Sequence, residues 1–516
     1  MKLWEKKTFV ISVISSLLWS LAAHFYAFSR LIVSHDSLHE FYLGAALQDG
    51  YTGVTWKIAL GRFAVPVYQK LVRGMVTTPW LIGILALLFI TLTVYVVARI
   101  FDLKKPLPIF LAAGILITNP SVFVMASTFI TDLDINMLAM LLSAVAVWSW
   151  KEDKLLFWGF GALCICGVMS IYASYLSQTV ALVMIVSILR LLDGESWKKV
   201  LVRGIGAIGM ILLGIGLYAL ATAVICRVAG VALMEGTYNS ITNVFTETTR
   251  NDLLNRIINS YRDVAHTLTD SMFGHADQIS IPAVAAMAGA LVMMIVKAVK
   301  ARISALSALL IAVLLALMPI ALDLTLIASC GLVHDLMKCA FVTAYLLPLV
   351  IALPGLHGSA RLHCAASAVI MLCLGVMSWQ YAVQANHVYL KKELESQFTK
   401  STMTRIMTQL EQREDYVPAQ TTLLFAGDMS HQVKMRRELT KYWTFIGLSS
   451  SSPIQSWRHY EPYLEYMMGI DVIYCDGDKR WEMITSQPVK DMPIYPAEGS
   501  IQMIDDVLVI KVGPVE

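Results

Sequence analysis

Long apolar segments recur along most of this chain, and they constrain its fold more than any other feature. The segment 79–99, for example, holds a single charged residue, Arg99, at its end. A helix of about 20 such residues crosses the hydrocarbon core of a bilayer. The chain is 57% hydrophobic and 15% charged, whereas soluble domains contain about 25% charged residues. The sequence therefore predicts an all-α polytopic membrane module.

Eleven apolar segments have the length expected of transmembrane helices. The stretch 155–187 is too long for one helix, and the residues from Tyr172 to Tyr175 interrupt it, so it is divided into two short helices. Together the segments predict a transmembrane module over residues 1–385. The predicted spans are 8–28, 79–99, 107–118 with the apolar residues after Pro120, 135–150, the two halves of 155–187, 204–226, 281–299, 303–327, 339–356 and 365–385.

Lysine and arginine residues are concentrated in alternate connections between these spans. The connections near Asp132, Tyr172 and Cys330 hold almost none, with Lys338 as the exception. By the positive-inside rule the basic connections are cytoplasmic, and so is the N-terminus. The longer connections 29–78 and 230–280 then face outward, and an odd number of spans places residues after 385 outside. The net charge of +3 is too small to indicate a nucleic-acid partner.

The last 130 or so residues differ sharply in composition from the membrane module. Residues 387–413 have apolar side chains close to helical spacing, which predicts an amphipathic helix. Segments 421–425, 471–474 and 507–512 are strand candidates, and 461–468 is a helix candidate between them. Residues 386–516 are therefore predicted to form a small extracytoplasmic α/β domain.

The first outer loop holds the densest group of polar residues close to the predicted membrane surface. His35, Asp36 and Glu40 follow the first span, and Gly61-Arg62 comes after an amphipathic stretch that predicts an interfacial helix. Polar residues at the mouth of a helical bundle are costly and are functional candidates for that reason. Positive charge on this outer side predicts an anionic ligand, and it is carried by Lys57, Arg62, Lys70 and Arg73.

A simpler interpretation of this loop remains open. Aspartate is a frequent helix N-cap, so Asp36 is expected on that interpretation to cap a helix that starts near Ser37. The cations then bind lipid headgroups instead of a substrate.

Two further outer connections contribute candidate residues. Asp132 and Asp134 open the fourth span from the outer side, where the helix dipole alone favours an acid by up to about 1 kcal/mol. Because both acids lie on an otherwise uncharged loop, we expect at least one of them to belong to a functional site. Asp335 and Lys338 enter the tenth span from the same side, where Lys338 is expected to snorkel outward or bind an anion.

The corner between the fifth and sixth spans carries Tyr172, Tyr175 and Gln178. These side chains are candidates for a sugar subsite, because aromatic rings and amides are common in such sites. Tyrosine is equally typical of the membrane interface. The sequence contains no P-loop, no dinucleotide-binding glycine motif and no nucleophile elbow, which argues against ATP-driven transport and hydrolase chemistry.

Several short motifs together resemble a known family. They are the acid after the first span, Gly61-Arg62, Asn119-Pro120 ahead of Thr131-Asp132, and the outer tail. This arrangement is similar to the phage-type, serotype-converting O-antigen glucosyltransferases, the Gtr group of the GT-C membrane glycosyltransferases. The resemblance implies a GT-C-like fold in the bacterial inner membrane with a periplasmic C-terminal domain.

The resemblance also implies a reaction and its partners. The donor is undecaprenyl phosphate-linked glucose, the acceptor is a sugar of the lipid-linked O-antigen repeat, and a donor synthase and a flippase act in the same pathway. Alternatives are a flippase or exporter of lipid-linked glycans and an O-antigen polymerase. A transporter is expected to carry polar residues near mid-span and two similar halves, whereas the polar positions here cluster at the outer ends.

Roles for individual residues follow from the same resemblance. Asp36 is expected to act as catalytic base, with Asp132 as the acid of the second outer loop and Asp134 as a neighbour in the site. Arg62 and Lys338 are expected to hold the donor phosphate, although a lysine at 338 supplies charge without the bidentate fork of an arginine. Because a lipid phosphate is a good leaving group, no cofactor and no metal are predicted.

Overall fold

The computed structural model is mostly helical and describes residues 3–45, 51–152, 154–234, 252–270, 277–328, 333–353, 361–434, 450–475 and 477–515. The helices of the membrane module, in chain order, are α1 (Leu3–Ala23), α2 (Phe25–Ser29), α3 (His35–His39), α4 (Gly53–Ala59), α5 (Ala64–Val72), α6 (Pro79–Ile100), α7 (Pro106–Ile117), α8 (Pro120–Thr128), α9 (Leu133–Lys151), α10 (Leu155–Ile171), α11 (Leu176–Leu192), α12 (Trp197–Ala229), α13 (Leu253–Asp270), α14 (Asp277–Lys300), α15 (Ala305–Leu322), α16 (Leu324–Ala328), α17 (Cys339–Thr343), α18 (Leu346–Ala352) and α19 (Arg361–Glu411).

Eight helices in the described part of the chain are long and apolar enough to cross a membrane, or nine if a bent pair counts as one span. The predicted interruption at Tyr172 is confirmed, since α10 ends at Ile171 and α11 begins at Leu176. The predicted total of eleven also includes two segments, Leu156–Ile171 and Cys339–Ala352, which form helices shorter than the others. The first of them ends where the turn at Tyr172 begins.

The bent pair consists of α7 and α8, which meet at an angle of 42°. Asn119 and Pro120 form the break, because proline begins a new helix easily but cannot continue the preceding one. The Asn119 side chain accepts a hydrogen bond from the Ser121 N–H and donates one to the Cys339 carbonyl, at 3.1 and 3.0 Å. This ties the start of α8 to α17, and every residue of α8 is buried.

Charged connections of the module contact one another in two groups. Arg99 pairs with Glu5 at 3.3 Å, and the Lys151 ammonium donates to the Ile100 carbonyl at 2.7 Å. These residues come from connections with basic character. Residues of the connections 29–78 and 230–280 form contacts of their own, described below.

The last membrane helix, α19, continues into the tail without a break. It runs from Arg361 to Glu411, 51 residues, so the predicted helix 387–413 is the C-terminal part of this longer one. The remaining tail helices are α20 (Tyr460–Pro462), which continues as a π-helix over Tyr463–Met468, α21 (Gly477–Thr485) and α22 (Gln487–Asp491).

The tail contains a four-stranded sheet with strands β1 (Thr422–Ala426), β2 (Ile473–Tyr474), β3 (Ile501–Ile504) and β4 (Val507–Lys511), in the order β2-β1-β4-β3. β1 is parallel to β2 and β4, and β3 is antiparallel to β4. The three predicted strands are confirmed, whereas β3 was missed. β3 forms a hairpin with β4, and the turn places Asp505 in the left-handed region at φ 53°.

One face of the sheet and the end of α19 share a core with the first outer loop. Leu423 and Ile510 of the sheet pack in this core with Leu410 of α19, and Val33 and Leu38 from the start of the chain are also part of it. The tail therefore packs against the membrane module, and its core includes residues from the segment that contains Asp36.

Candidate functional site

Helix α3 places the first candidate acid, and a serine begins this helix. Ser34 is the N-cap, and a capping box pairs its side chain with Ser37. The Ser34 hydroxyl also donates to the Thr128 carbonyl at the end of α8, which fixes α3 against the buried part of the bundle. The interpretation of Asp36 as the N-cap is therefore wrong, because Ser34 satisfies the free backbone N–H.

The Asp36 carboxylate is 32% exposed and lies 3.1 Å from the His35 Nε2. Burial alone would raise the pKa of Asp36, but the hydrogen bond and charge of His35 hold it below its usual range. An acid with this environment stays ionised and can accept a proton from a bound hydroxyl group.

Lys57 in α4 binds two other acids at the same end of the bundle. Its ammonium lies 2.7 Å from Glu40 Oε1 and 2.5 Å from Asp132 Oδ2, and the Lys57 side chain is 5% exposed. Gln69 of α5 donates to the second oxygen of Asp132 at 3.3 Å. Burial raises the pKa of Glu40, which Lys57 only partly offsets. The two acids and the lysine thus form a buried charge cluster.

Asp134, two residues after Asp132, is completely buried. Its Oδ2 accepts hydrogen bonds from the Arg73 Nε at 2.9 Å and from the Tyr68 hydroxyl at 3.0 Å. Arg73 also donates to the Thr131 carbonyl. Instead of facing an outside anion, Lys57 and Arg73 neutralise carboxylates of the same chain.

The Gly61-Arg62 motif makes the turn between α4 and α5. Gly61 has φ +74°, and a Cβ there would lie 2.3 Å from the Tyr218 hydroxyl, so glycine is required. That hydroxyl donates to the Gly61 carbonyl at 3.1 Å. The turn directs the Arg62 guanidinium over the Tyr172 ring, 4.6 Å from its centroid. This stacking holds a half-buried cation beside the charge cluster.

The other residues of this corner lie deeper. Tyr175 is 1% exposed, and its hydroxyl has no hydrogen-bond partner among the described residues. The Gln178 amide donates to the Met140 carbonyl at 3.4 Å inside the bundle. Tyr172 is also buried, at 8% exposed, but its ring contacts Arg62.

Lys338 lies in a second polar cluster, with partners that the sequence did not indicate. Its ammonium is 3.1 Å from the Asp263 carboxylate of α13 and 3.8 Å from that of Asp335. Burial raises the pKa of Asp335 to about 6. The Ser121 hydroxyl donates to the Asp335 carbonyl at 2.9 Å, which fixes this cluster to α8. A phosphate at Lys338 would have to compete with two carboxylates.

Several residues of these clusters were missed by reasoning from sequence. Tyr68 and Gln69 of α5 were not named, and the helical spacing between Gln69 and Arg73, the C-cap of α5, was the available signal. His459 of the tail lies close to His39 and His35, with ring centroids 4.7 and 5.8 Å apart. No sequence pattern connects residues so far apart in the chain.

The same side chains, all within the described residues, do not gather into a metal site. In the described ranges, no three His, Cys, Asp or Glu residues come together in a way that could hold a metal ion. The expectation that transfer needs no metal remains a prediction.

Comparison with known proteins gives a family match within the membrane module. The family model described as glucosyl transferase GtrII matches residues 46–353. The match includes Arg62, Asp132, Tyr172 and Lys338, whereas Asp36 lies before it. No curated protein and no solved structure matches the chain. Because the family match covers more than half of the 516 residues, the chain belongs to the GtrII glucosyl transferase family.

Proposed function

We propose that this protein transfers a glucosyl residue from undecaprenyl phosphate-glucose to a sugar of the lipid-linked O-antigen repeat. Family membership supports glucosyl transfer. A lipid-linked donor suits a site built at the mouth of a bundle of apolar helices, where the lipid chain stays in the bilayer. We propose that the site faces the periplasm. The lysine- and arginine-rich connections lie between the alternate spans, and the positive-inside rule assigns them to the cytoplasm.

The proposal that Asp36 is the base rests on its environment, which differs from that of the other acids. Asp132 and Glu40 share Lys57, and Asp134 is buried against Arg73. These three carboxylates are already paired with cations of the same chain. Asp36 combines a lowered pKa with a carboxylate that is one-third exposed. A base needs both an ionised carboxylate and access to the acceptor hydroxyl.

The proposed reaction is a single displacement at the anomeric carbon. The acceptor hydroxyl oxygen attacks this carbon while Asp36 takes the hydroxyl proton. The bond from the anomeric carbon to the phosphate oxygen breaks, and its electron pair leaves with the lipid phosphate. Arg62, held on Tyr172, is proposed to stabilise the charge that develops on the phosphate.

Two further assignments are part of this proposal. Lys338 is a second phosphate partner only if donor binding displaces Asp263 or Asp335 from it. His35 and Tyr172 are the proposed sugar contacts because they adjoin Asp36 and Arg62, the proposed base and phosphate partner.

The test compares the O-antigen of cells with and without the gene. A gain of one hexose per repeat in a glucose linkage supports the proposal. An unchanged repeat with altered chain length indicates a polymerase, and lipid-linked glycan retained on the cytoplasmic side without the gene indicates a flippase. Either outcome contradicts the proposal.

The role of Asp36 is tested with purified protein and a lipid-phosphate glucose donor. Asp36→Asn is expected to lower kcat by about 10²- to 10⁴-fold, the range for loss of a general base. Asp193→Asn is the matched control, because Asp193 pairs with Lys297 and its side chain is 66% exposed. A folded Asp36→Asn protein with wild-type kcat would exclude Asp36 as the base.

A further inference from the structure

The tail domain contacts both ends of the segment that carries Asp36. Val33 and Leu38, on either side of the acid, are buried in the tail core. The Phe41 ring stacks on the Tyr466 ring of the tail with centroids 5.1 Å apart. Helix α3 has only five residues, too few to hold a fixed orientation by itself. Its position therefore depends on the tail as well as on the Ser34 contact with α8.

His459 lies where the tail meets α3. Its ring is 6% exposed and lies against His39 and His35. The Ser456 backbone N–H donates to the His459 Nδ1 at 2.9 Å. Since an N–H can only donate, Nδ1 carries no proton and the ring is neutral with its proton on Nε2. Burial, followed by the nearby His39 and His35, lowers the pKa of His459 to about 3.

The His35 ring depends on its neighbours for orientation. Its Nε2 contacts Asp36, and its Nδ1 is buried with no hydrogen-bond partner among the described residues. Two ring contacts remain, an edge contact with Phe129 at 6.1 Å and one with His459 at 5.8 Å. Phe129 belongs to the membrane module and His459 to the tail, so the ring is held between the two.

We propose that His459 is a positioning residue that holds His35 in the orientation in which it contacts Asp36. The inference rests on the proposed role of Asp36 as base. It makes the tail part of the catalytic arrangement, because a residue far along the chain sets the geometry of the acid. Neither His35 nor His459 lies within residues 46–353 that match the family, so the family match does not assign this arrangement.

The proposal is tested with full-length protein in detergent, by measuring kcat and KM for glucosyl transfer. His459→Asn keeps an acceptor for the Ser456 N–H but removes the ring, and His459→Phe keeps a ring. We expect about a 10- to 100-fold loss of kcat for the asparagine variant, the scale of a misplaced catalytic group. KM should change less than about threefold, and the phenylalanine variant should retain more kcat than the asparagine variant. His431→Gln, at an exposed tail histidine, is the matched control.

A double-mutant cycle separates positioning from a general structural role. If His459 acts through His35, His459→Asn causes no further loss of kcat in a His35→Gln background. The inference is overturned if the double variant loses kcat by the product of the two single-variant losses. It is also overturned if folded His459→Asn has wild-type kcat. If the asparagine variant does not fold, His459→Gln, which also removes the ring, decides in the same way with and without His35→Gln. A wild-type protein that transfers no glucose overturns the proposed function itself, whereas an active wild type with unaffected variants overturns only this inference.

Discussion

The ion pairs at the two ends of the helical bundle differ in their exposure to solvent. At the end with the basic connections, Lys104 pairs with Asp102 and both side chains are more than half exposed, 58% and 59%. At the other end, Lys57 is 5% exposed between Glu40 and Asp132, which are 15% and 10% exposed. The basic end thus carries solvated pairs such as this one, and the other end contains a packed charge cluster.

This difference has an energetic meaning. Exposed ion pairs contribute about 0–1 kcal/mol each and tolerate changes in geometry. Buried pairs require defined partners, since removing one leaves an uncompensated charge at a cost of about 3–5 kcal/mol. Charged residues at the basic end can therefore help to set the topology without defined partners. Charged residues at the other end are suited to holding groups in fixed positions. Asp36 lies beside that cluster and keeps an exposed carboxylate.

The largest expected effect is the removal of Lys57. Lys57→Met leaves Glu40 and Asp132 without their shared cation, so we expect a loss of about 3–5 kcal/mol in unfolding free energy. Unfolding in detergent, followed by circular dichroism, measures this loss. Glu40→Gln in the Lys57→Met background should recover part of it. Lys70→Met, at an exposed lysine of α5, is the control, and an equal effect there would contradict the comparison.

A smaller effect is expected from pH at the contact between α3 and the tail. The pKa of His459 falls from 6.5 to about 3 on folding, mainly through burial. The undocked histidine therefore takes up a proton below about pH 6.5 while the docked one does not. Docking weakens as the pH falls, by up to about 1.4 kcal/mol per pH unit. Burial lowers the pKa of His39 as well, in the same direction.

Limited proteolysis of the tail between pH 7 and pH 4 measures this docking. We expect increasing cleavage of the wild-type protein as the pH falls. His459→Gln should show a shallower dependence, because glutamine has no proton to take up. Identical pH dependence in both proteins would show that His459 does not contribute.

The smallest effect is expected at the opposite end. Lys297 pairs with Asp193 at 2.6 Å, with side chains 31% and 66% exposed. Lys297→Ala should change the unfolding free energy by less than about 1 kcal/mol and leave glucosyl transfer unchanged. A loss as large as that of Lys57→Met would remove the distinction between the two ends.

Much of the fold could be predicted because hydropathy and charge are local properties. The break at Tyr172, the bend at Pro120 and the strands around Leu424 and Val509 each follow from a short stretch of sequence. Of the candidate site, the acids and cations were identified as individual residues. Their partners were not, since Asp263 and Lys338 are far apart in sequence and meet only in the folded chain.

The sequence by itself determined that this chain is a membrane protein with a tail of different composition and a polar group after the first apolar segment, because composition and periodicity suffice for that. Tertiary structure decided which charges neutralise one another and which acid keeps its exposure. It also decided that α19 enters the tail unbroken and that His459 reaches α3. Those outcomes depend on distances between segments remote in sequence, which no local pattern contains.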